Sequence, residues 1–165
     1  MNNNLIGKKV LITGSSGGIG KILSKKFIDN ECKIIFTSSN NDRLNDLMNL
    51  YGSDHIYYKL DLRNISDLKK SMEQITNENK DLEILINNAG LTNDNLLLRM
   101  KEEQWNDVIN VNLNSNFYII KSILPNMLKN KTGKIIGISS VVALTGNPGQ
   151  SNYTASKAAI ISMYK

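Results

Sequence analysis

The sequence of 165 residues contains one cysteine, one histidine, one tryptophan and two prolines. A single cysteine rules out an intramolecular disulfide, and Cys32, just before the apolar Ile34-Ile35-Phe36, reads as a small buried hydrophobe. The lone histidine, His55, stands at the start of an expected strand, which leaves a Ser-His-Asp hydrolase with little support. No stretch approaches the ~20 consecutive apolar residues of a membrane span. Met1-Asn2-Asn3-Asn4 leads directly into Leu5-Ile6-Gly7 without the basic and apolar regions of a signal peptide. A cytoplasmic protein with no membrane partner is expected. The net charge is +5, but the lysines are scattered and no block of basic residues forms a nucleic-acid arm, so nucleic acid is not an expected partner.

What remains is an ordinary globular composition, 41% hydrophobic and 21% charged. A chain of this length forms one domain that buries about 70% of its unfolded surface. No internal repeat, low-complexity linker or composition shift divides residues 1–165.

Short apolar, β-branched runs alternate with helical periodicity. Strands are expected at residues 9–13, 33–37, 55–60, 82–86 and 134–138. Helical patterns lie between them at 19–28, 42–50, 65–77 and 101–129, the last expected to bend or break near Pro125. A further helix starts near Asn152 and Tyr153. This alternation predicts an α/β fold: a doubly wound parallel sheet, Rossmann-like, in three αβα layers with right-handed crossovers. The dinucleotide fold has six strands ordered 3-2-1-4-5-6. With about five strands here, the fifth would be left as an apolar edge, and the pattern reads as C-terminally incomplete, a single dinucleotide-binding catalytic domain cut after Tyr153 and Lys157.

Thr13-Gly14-Ser15-Ser16-Gly17-Gly18-Ile19-Gly20 falls at the first strand-to-helix turn. There glycines permit a tight turn and close backbone approach, while the helix N-terminus offers N–H groups to a pyrophosphate. Asp61-Leu62 follows the third strand, Asn87-Asn88-Ala89-Gly90 ends the fourth, Asn112 lies in the next helix, Ser140 follows the fifth strand, and Tyr153 and Lys157 open the last helix. Taken singly, each has a plain structural reading as a loop, turn, cap, helix polar residue or surface aromatic. The order and the topological positions make the set specific.

Tyr153 and Lys157 are spaced i and i+4, so they share a helix face. A phenol, with a pKa near 10, is a poor proton relay at neutral pH without help. An ammonium ~5 Å away, at an effective dielectric of ~20, favours the phenolate by roughly 3 kcal/mol. The chemistry calls for no metal.

The motifs resemble those of the short-chain dehydrogenases/reductases, whose glycine pattern Thr-Gly-x-x-x-Gly-x-Gly is matched by Gly14, Gly18 and Gly20. The resemblance implies that Ser140, Tyr153, Lys157 and Asn112 are catalytic: Ser140 orienting the carbonyl, Lys157 also holding the nicotinamide ribose, Asn112 anchoring a water chain. It implies a cofactor site formed by Gly14, Ser15, Ser16, Gly18, Ile19, Gly20, Thr37, Ser38, Asp61, Leu62, Asn88, Ala89 and Gly90, with Tyr153 and Lys157 at its nicotinamide end.

Residues 88–117, and the run from Ile138 to Tyr153, are similar to the 3-oxoacyl-acyl-carrier-protein reductases of that family, although Asn93 stands where relatives often carry Arg. This similarity implies reduction of a 3-oxoacyl thioester in fatty-acid synthesis. It also implies acyl carrier protein as partner, met by Lys129 and Lys131, and a homo-oligomer, a tetramer, paired through the long helices. A sugar or alcohol dehydrogenase, or a fragment without catalysis, are the alternatives. No acid follows the second strand in Thr37-Ser38-Ser39-Asn40-Asn41, and Arg43 is at hand, so NADPH is favoured over NADH. Gly17 occupies a slot where relatives that use NADPH often carry Arg, with Lys21 as a compensating cation.

Overall fold

The computed structural model describes residues 5–165; Met1-Asn2-Asn3-Asn4, read above for its lack of a leader pattern, lies outside the described residues. Five strands, β1 (Lys9–Ile12), β2 (Lys33–Ser38), β3 (Ile56–Lys59), β4 (Leu82–Asn87) and β5 (Lys134–Gly137), form one sheet in the order β3-β2-β1-β4-β5. Every neighbouring pair is parallel. The crossovers are α1 (Gly18–Ile28), α2 (Asn41–Tyr51), α3 (Ile65–Glu78) and a long helical segment between β4 and β5.

The central strands are apolar along their length because helices cover both faces of the sheet. Val10, Leu11 and Ile12 of β1 are all fully buried, and their side chains alternate between two cores. Leu11, Ile35 and Leu85 pack with Leu68, Met72 and Ile75 of α3 and with Ile119 and Ile123. Val10, Ile12, Ile34, Phe36 and Ile86 pack with Leu44 and Leu47 of α2 and with Leu23 and Phe27 of α1. Chain order moves outward from β1 on one side through β2 and β3, and on the other through β4 and β5. A crevice therefore opens at the carboxyl ends of β1 and β4, the topological switch point where such sheets hold ligands.

The expected helix at 101–129 is three consecutive segments: α4 (Glu102–Ile109), a π-helical turn at Asn110–Asn114 and α5 (Ser115–Asn130). Pro125 neither ends nor breaks α5. Pro125 and Lys121, whose carbonyl loses its partner to the proline, are both exposed, so the freed oxygen is on the solvent side. Two short helices escaped the periodicity, a 3₁₀ turn at Leu97–Arg99 and α6 (Val142–Thr145), both too short to repeat an apolar face. The final helix, α7 (Ser151–Met163), begins one residue before Asn152.

Among the described residues β5 pairs on one side only. Tyr164 packs on one face of the strand, its ring so close to Gly137 that a Cβ there would come within 2.6 Å of it. The Tyr164 hydroxyl accepts from the Asn87 amide at 2.7 Å and donates to Asn116 Oδ1 at 2.7 Å, pinning the end of α7 to β4 and α5. No helix among the described residues is long and apolar enough to cross a membrane.

Candidate active site

The crevice is a cleft of about 460 Å³. Its floor is the turn from β1 into α1. Gly14 has φ +62, a backbone conformation natural to glycine, and a Cβ there would lie 2.9 Å from Ala89 Cα. Gly20 is packed more tightly still: a Cβ would sit 2.3 Å from the Gly14 carbonyl oxygen. Gly18 differs, because a Cβ there would meet no protein atom within 4 Å. The space above Gly18, at the amino end of α1, belongs to the cleft and not to the protein's own packing.

Of the residues expected to hold a cofactor, Gly14, Ser16, Gly18, Ile19, Gly20, Ser38, Asp61, Leu62, Asn88, Ala89 and Gly90 line this cleft. Tyr153 and Lys157 are outside its lining, Lys157 standing next to Gly90, and Ser15 and Thr37 do not line it either. The latter two are buried behind it, where the Ser15 hydroxyl donates to the Thr37 carbonyl and accepts the Thr37 N–H, each at 2.9 Å. Their polar atoms tie β1 to β2. The opposite wall is fixed by Thr13, whose Oγ1 accepts the N–H groups of Asn88 and Ala89 at 3.0 Å each, and by Asn88 Nδ2, which donates to the Thr13 carbonyl. Arg43 and Arg63 line the far end together with Ser38, Ser39 and Asp61. Lys21, expected as a compensating cation, is not in this lining and borders a separate groove with Lys25, Lys26 and Tyr51.

At the other end, the chain brings Gly90, Asn112 and Lys157 together. A Cβ on Gly90 would be 3.3 Å from Asn112 Oδ1 and 3.4 Å from Lys157 Nζ. Lys157 is 3% exposed, donates to the Ile138 carbonyl at 2.7 Å and lies 5.7 Å from the centre of the Tyr153 ring, so the helix does set the two on one face. Burial pushes the Lys157 ammonium down from its ordinary pKa. Ser140 is half-buried just past β5, and next to it the Ser139 hydroxyl donates to the Lys157 carbonyl at 2.9 Å, locking the strand exit onto α7.

Asn112 sits within the π turn and is fully buried. Its Oδ1 accepts Leu91 N–H at 2.8 Å, and its Nδ2 donates to the Leu91 carbonyl and to Ser156 Oγ. A wider turn turns this side chain out of the helix toward the loop after β4. The expectation of an Asn112-anchored water chain thus meets a side chain already bonded to protein on both its oxygen and its nitrogen. Lys129 and Lys131, expected to meet a carrier, lie where α5 leads into β5, at the amino end of the strands and across the sheet from the cleft.

Residues 8–165 match the family model for short chain dehydrogenases, with the glycine turn, Asp61, Asn88 and the Tyr153–Lys157 pair all inside the matched span. The chain belongs to this family. Among its curated relatives, the 3-oxoacyl-acyl-carrier-protein reductase FabG of Buchnera aphidicola subsp. Acyrthosiphon pisum is 41% identical over 98% of the chain, and that of Vibrio cholerae is 40% identical over 98%. The FabG of Escherichia coli strain K12 is 38% identical, again over 98% of the chain. In each case the chain spans 66% of the relative's length.

Several residues that hold this short-chain dehydrogenase site together were not singled out from the sequence. Asn152 is fully buried and donates to the carbonyls of Asn93 and Gln104, both at 3.0 Å, fastening the start of α7 to α4 and to the loop after β4. The Gln104 side chain in turn donates to Asn93 Oδ1 at 2.9 Å and accepts the Lys101 N–H, so the asparagine at position 93 is part of the scaffold. A buried amide at the start of a helix leaves no periodic signal. Its only sequence trace is a polar residue at a position where the helix should be apolar.

Proposed function

We propose that the protein is an NADPH-dependent reductase of 3-oxoacyl thioesters carried on acyl carrier protein, working in fatty-acid synthesis. The observation that carries this reading is the placement of Lys157, with the Tyr153 ring 5.7 Å from its Nζ, beside Gly90 of a cleft whose lining also includes Ser38, Arg43 and Asp61. Such a cleft fits an extended dinucleotide: space stands open above Gly18 at the helix N-terminus for a pyrophosphate, and polar side chains flank the far end for an adenosine. The names of the relatives supply the substrate class.

When bound, NADPH supplies a hydride to the carbonyl carbon. Tyr153 donates its hydroxyl proton to the carbonyl oxygen as charge builds there. The Lys157 ammonium, held on the same helix face by the Ile138 carbonyl, stabilises the phenolate left behind. Ser140 supplies a hydroxyl to orient the carbonyl oxygen. Asn112 is a positioning residue that keeps Leu91 and Ser156 in place beside Tyr153. No carboxylate except Asp61 lines the cleft, and Arg43 stands at its adenosine end, which supports NADPH over NADH.

Within a single chain the carrier's approach to the cleft does not run over Lys129 and Lys131. Exposed Trp105, Phe117, Leu124 and Leu128 along α4 and α5 support pairing of these helices between copies in a homo-oligomer. The test is consumption of NADPH by the purified protein with an acetoacetyl thioester, set against simple ketones and sugars. Turnover of the thioester is expected; turnover of sugars or alcohols with none of the thioester would overturn the substrate assignment.

A further inference from the structure

We propose that Arg63, acting with Arg43, supplies the positive charge that recognises the 2′-phosphate of the cofactor. The inference rests on the cofactor reading above and names a residue which that reading does not. β2 and β3 are parallel neighbours in register, with Ser38 opposite Lys59, so the loops leaving their carboxyl ends run side by side. Arg43 stands in the first turn of α2, reached from β2, and Arg63 in the loop from β3 to α3. Two of the chain's three arginines thus border the same end of the cleft from adjacent loops.

The charges at that end leave an anion well served. Asp61 is the only carboxylate in the lining, and its Oδ1 accepts the Arg63 backbone N–H at 3.0 Å, which engages the acid with its own loop. Both guanidinium groups are free of ion pairs among the described residues, where the three ion pairs are made by Lys8, Lys9 and Lys25. The glycine turn adds no cation: Gly17 has no side chain, and Lys21 lies in the separate groove. Ser16 and Ser38 form a hydroxyl pair at 3.1 Å on the same wall. A planar guanidinium offers paired N–H donors that match a phosphate's oxygens, and two of them on adjacent loops lining one cleft favour a dianion over a neutral ribose hydroxyl.

The experiment is calorimetric binding of 5′-AMP and of adenosine 2′,5′-bisphosphate to the protein, its Arg63→Gln, Arg63→Lys and Arg43→Gln variants, with circular dichroism checking that each is folded. The unmodified protein is expected to prefer the bisphosphate, and Arg63→Gln to weaken the bisphosphate by about tenfold, the scale of one charge-assisted hydrogen bond, while leaving 5′-AMP unchanged. Arg63→Lys should recover part of the loss, and added salt should weaken the bisphosphate more than 5′-AMP. Equal weakening of both ligands by Arg63→Gln would mean that Arg63 stacks on the adenine, and no effect on either would mean that it is a bystander; both overturn the assignment and leave the cofactor reading standing. Equal affinity of the unmodified protein for the two ligands does the same. Binding of neither ligand removes the cofactor reading and this inference with it.

Discussion

In the proposed reduction the proton comes from Tyr153, so its hydroxyl is the atom whose loss separates chemistry from binding. Tyr153→Phe keeps the ring and its place on α7, and is expected to lower kcat by about 10²- to 10⁴-fold with nucleotide affinity unchanged; comparable turnover in the variant would remove Tyr153 from its role. A second single-residue effect concerns stability. His55 Nδ1 accepts the Ile34 N–H at 3.3 Å, which only the ring with that nitrogen unprotonated can do, and its edge faces Phe36. Burial lowers its pKa below the ordinary value, with Lys33 adding to the effect and Asp54 opposing it. Protons therefore bind the unfolded chain more readily than the folded one. The contribution of His55 is complete above the unfolded value of about 6.5 and is lost as the pH falls below it. Melting followed between pH 8 and pH 5 should show a decline on the acid side that is smaller in His55→Asn; identical profiles would assign the acid loss to other groups.

The elements show why glycines of one motif have different duties. At Gly20 the first turn of α1 presses on the backbone of Gly14 and Ser15, neither of which can yield as a flexible side chain would. Gly20→Ala is expected to cost about 1–3 kcal/mol or more, lowering Tm by several degrees. Gly18→Ala meets no protein atom and adds helix propensity, so Tm should hold or rise slightly while the affinity for adenine dinucleotides falls. If Gly18→Ala binds them as the unmodified protein does, the space above Gly18 is not the pyrophosphate's seat. The π turn at Asn110–Asn114 is the other element with a positional task, since an unbroken α-helix through it would not turn Asn112 to face Leu91 and Ser156 in the same way.

For the molecule as a whole, the sheet order brings the two ends of the cleft together from segments far apart in sequence, and one aromatic residue near the end of α7 fastens the outer strands to α5. Tyr164 lies over Gly137 on β5 and satisfies amides on β4 and α5. Tyr164→Ala removes the ring and leaves buried amide groups unpaired, with an expected loss of about 2–3 kcal/mol in urea unfolding. Tyr164→Phe, which keeps the ring, should lose about 1 kcal/mol. An alanine variant as stable as the unmodified protein would show that the ring and its hydroxyl contribute nothing to the fold.

The fold class and the positions of the strands were legible in the sequence because a parallel sheet covered on both faces demands continuous apolar runs, and residues 9–12, 33–37 and 82–86 have them. The glycine turn, Asp61, Asn88 and the spacing of Tyr153 and Lys157 were equally legible, since backbone approach and a shared helix face are local requirements. Only the tertiary structure decided what depends on distant segments meeting. It turned Ser15 and Thr37 away from the cleft, because each answers the other's backbone across two strands. It left Lys21 on the outer face of α1 and brought Arg63 to the cleft wall beside Arg43, a pairing that 19 residues of intervening chain conceal. Asn152, Ser139 and Tyr164 gained their roles in the same way: a polar side chain's duty is set by the donor or acceptor that folding brings within about 3 Å of it, and periodicity does not encode that meeting.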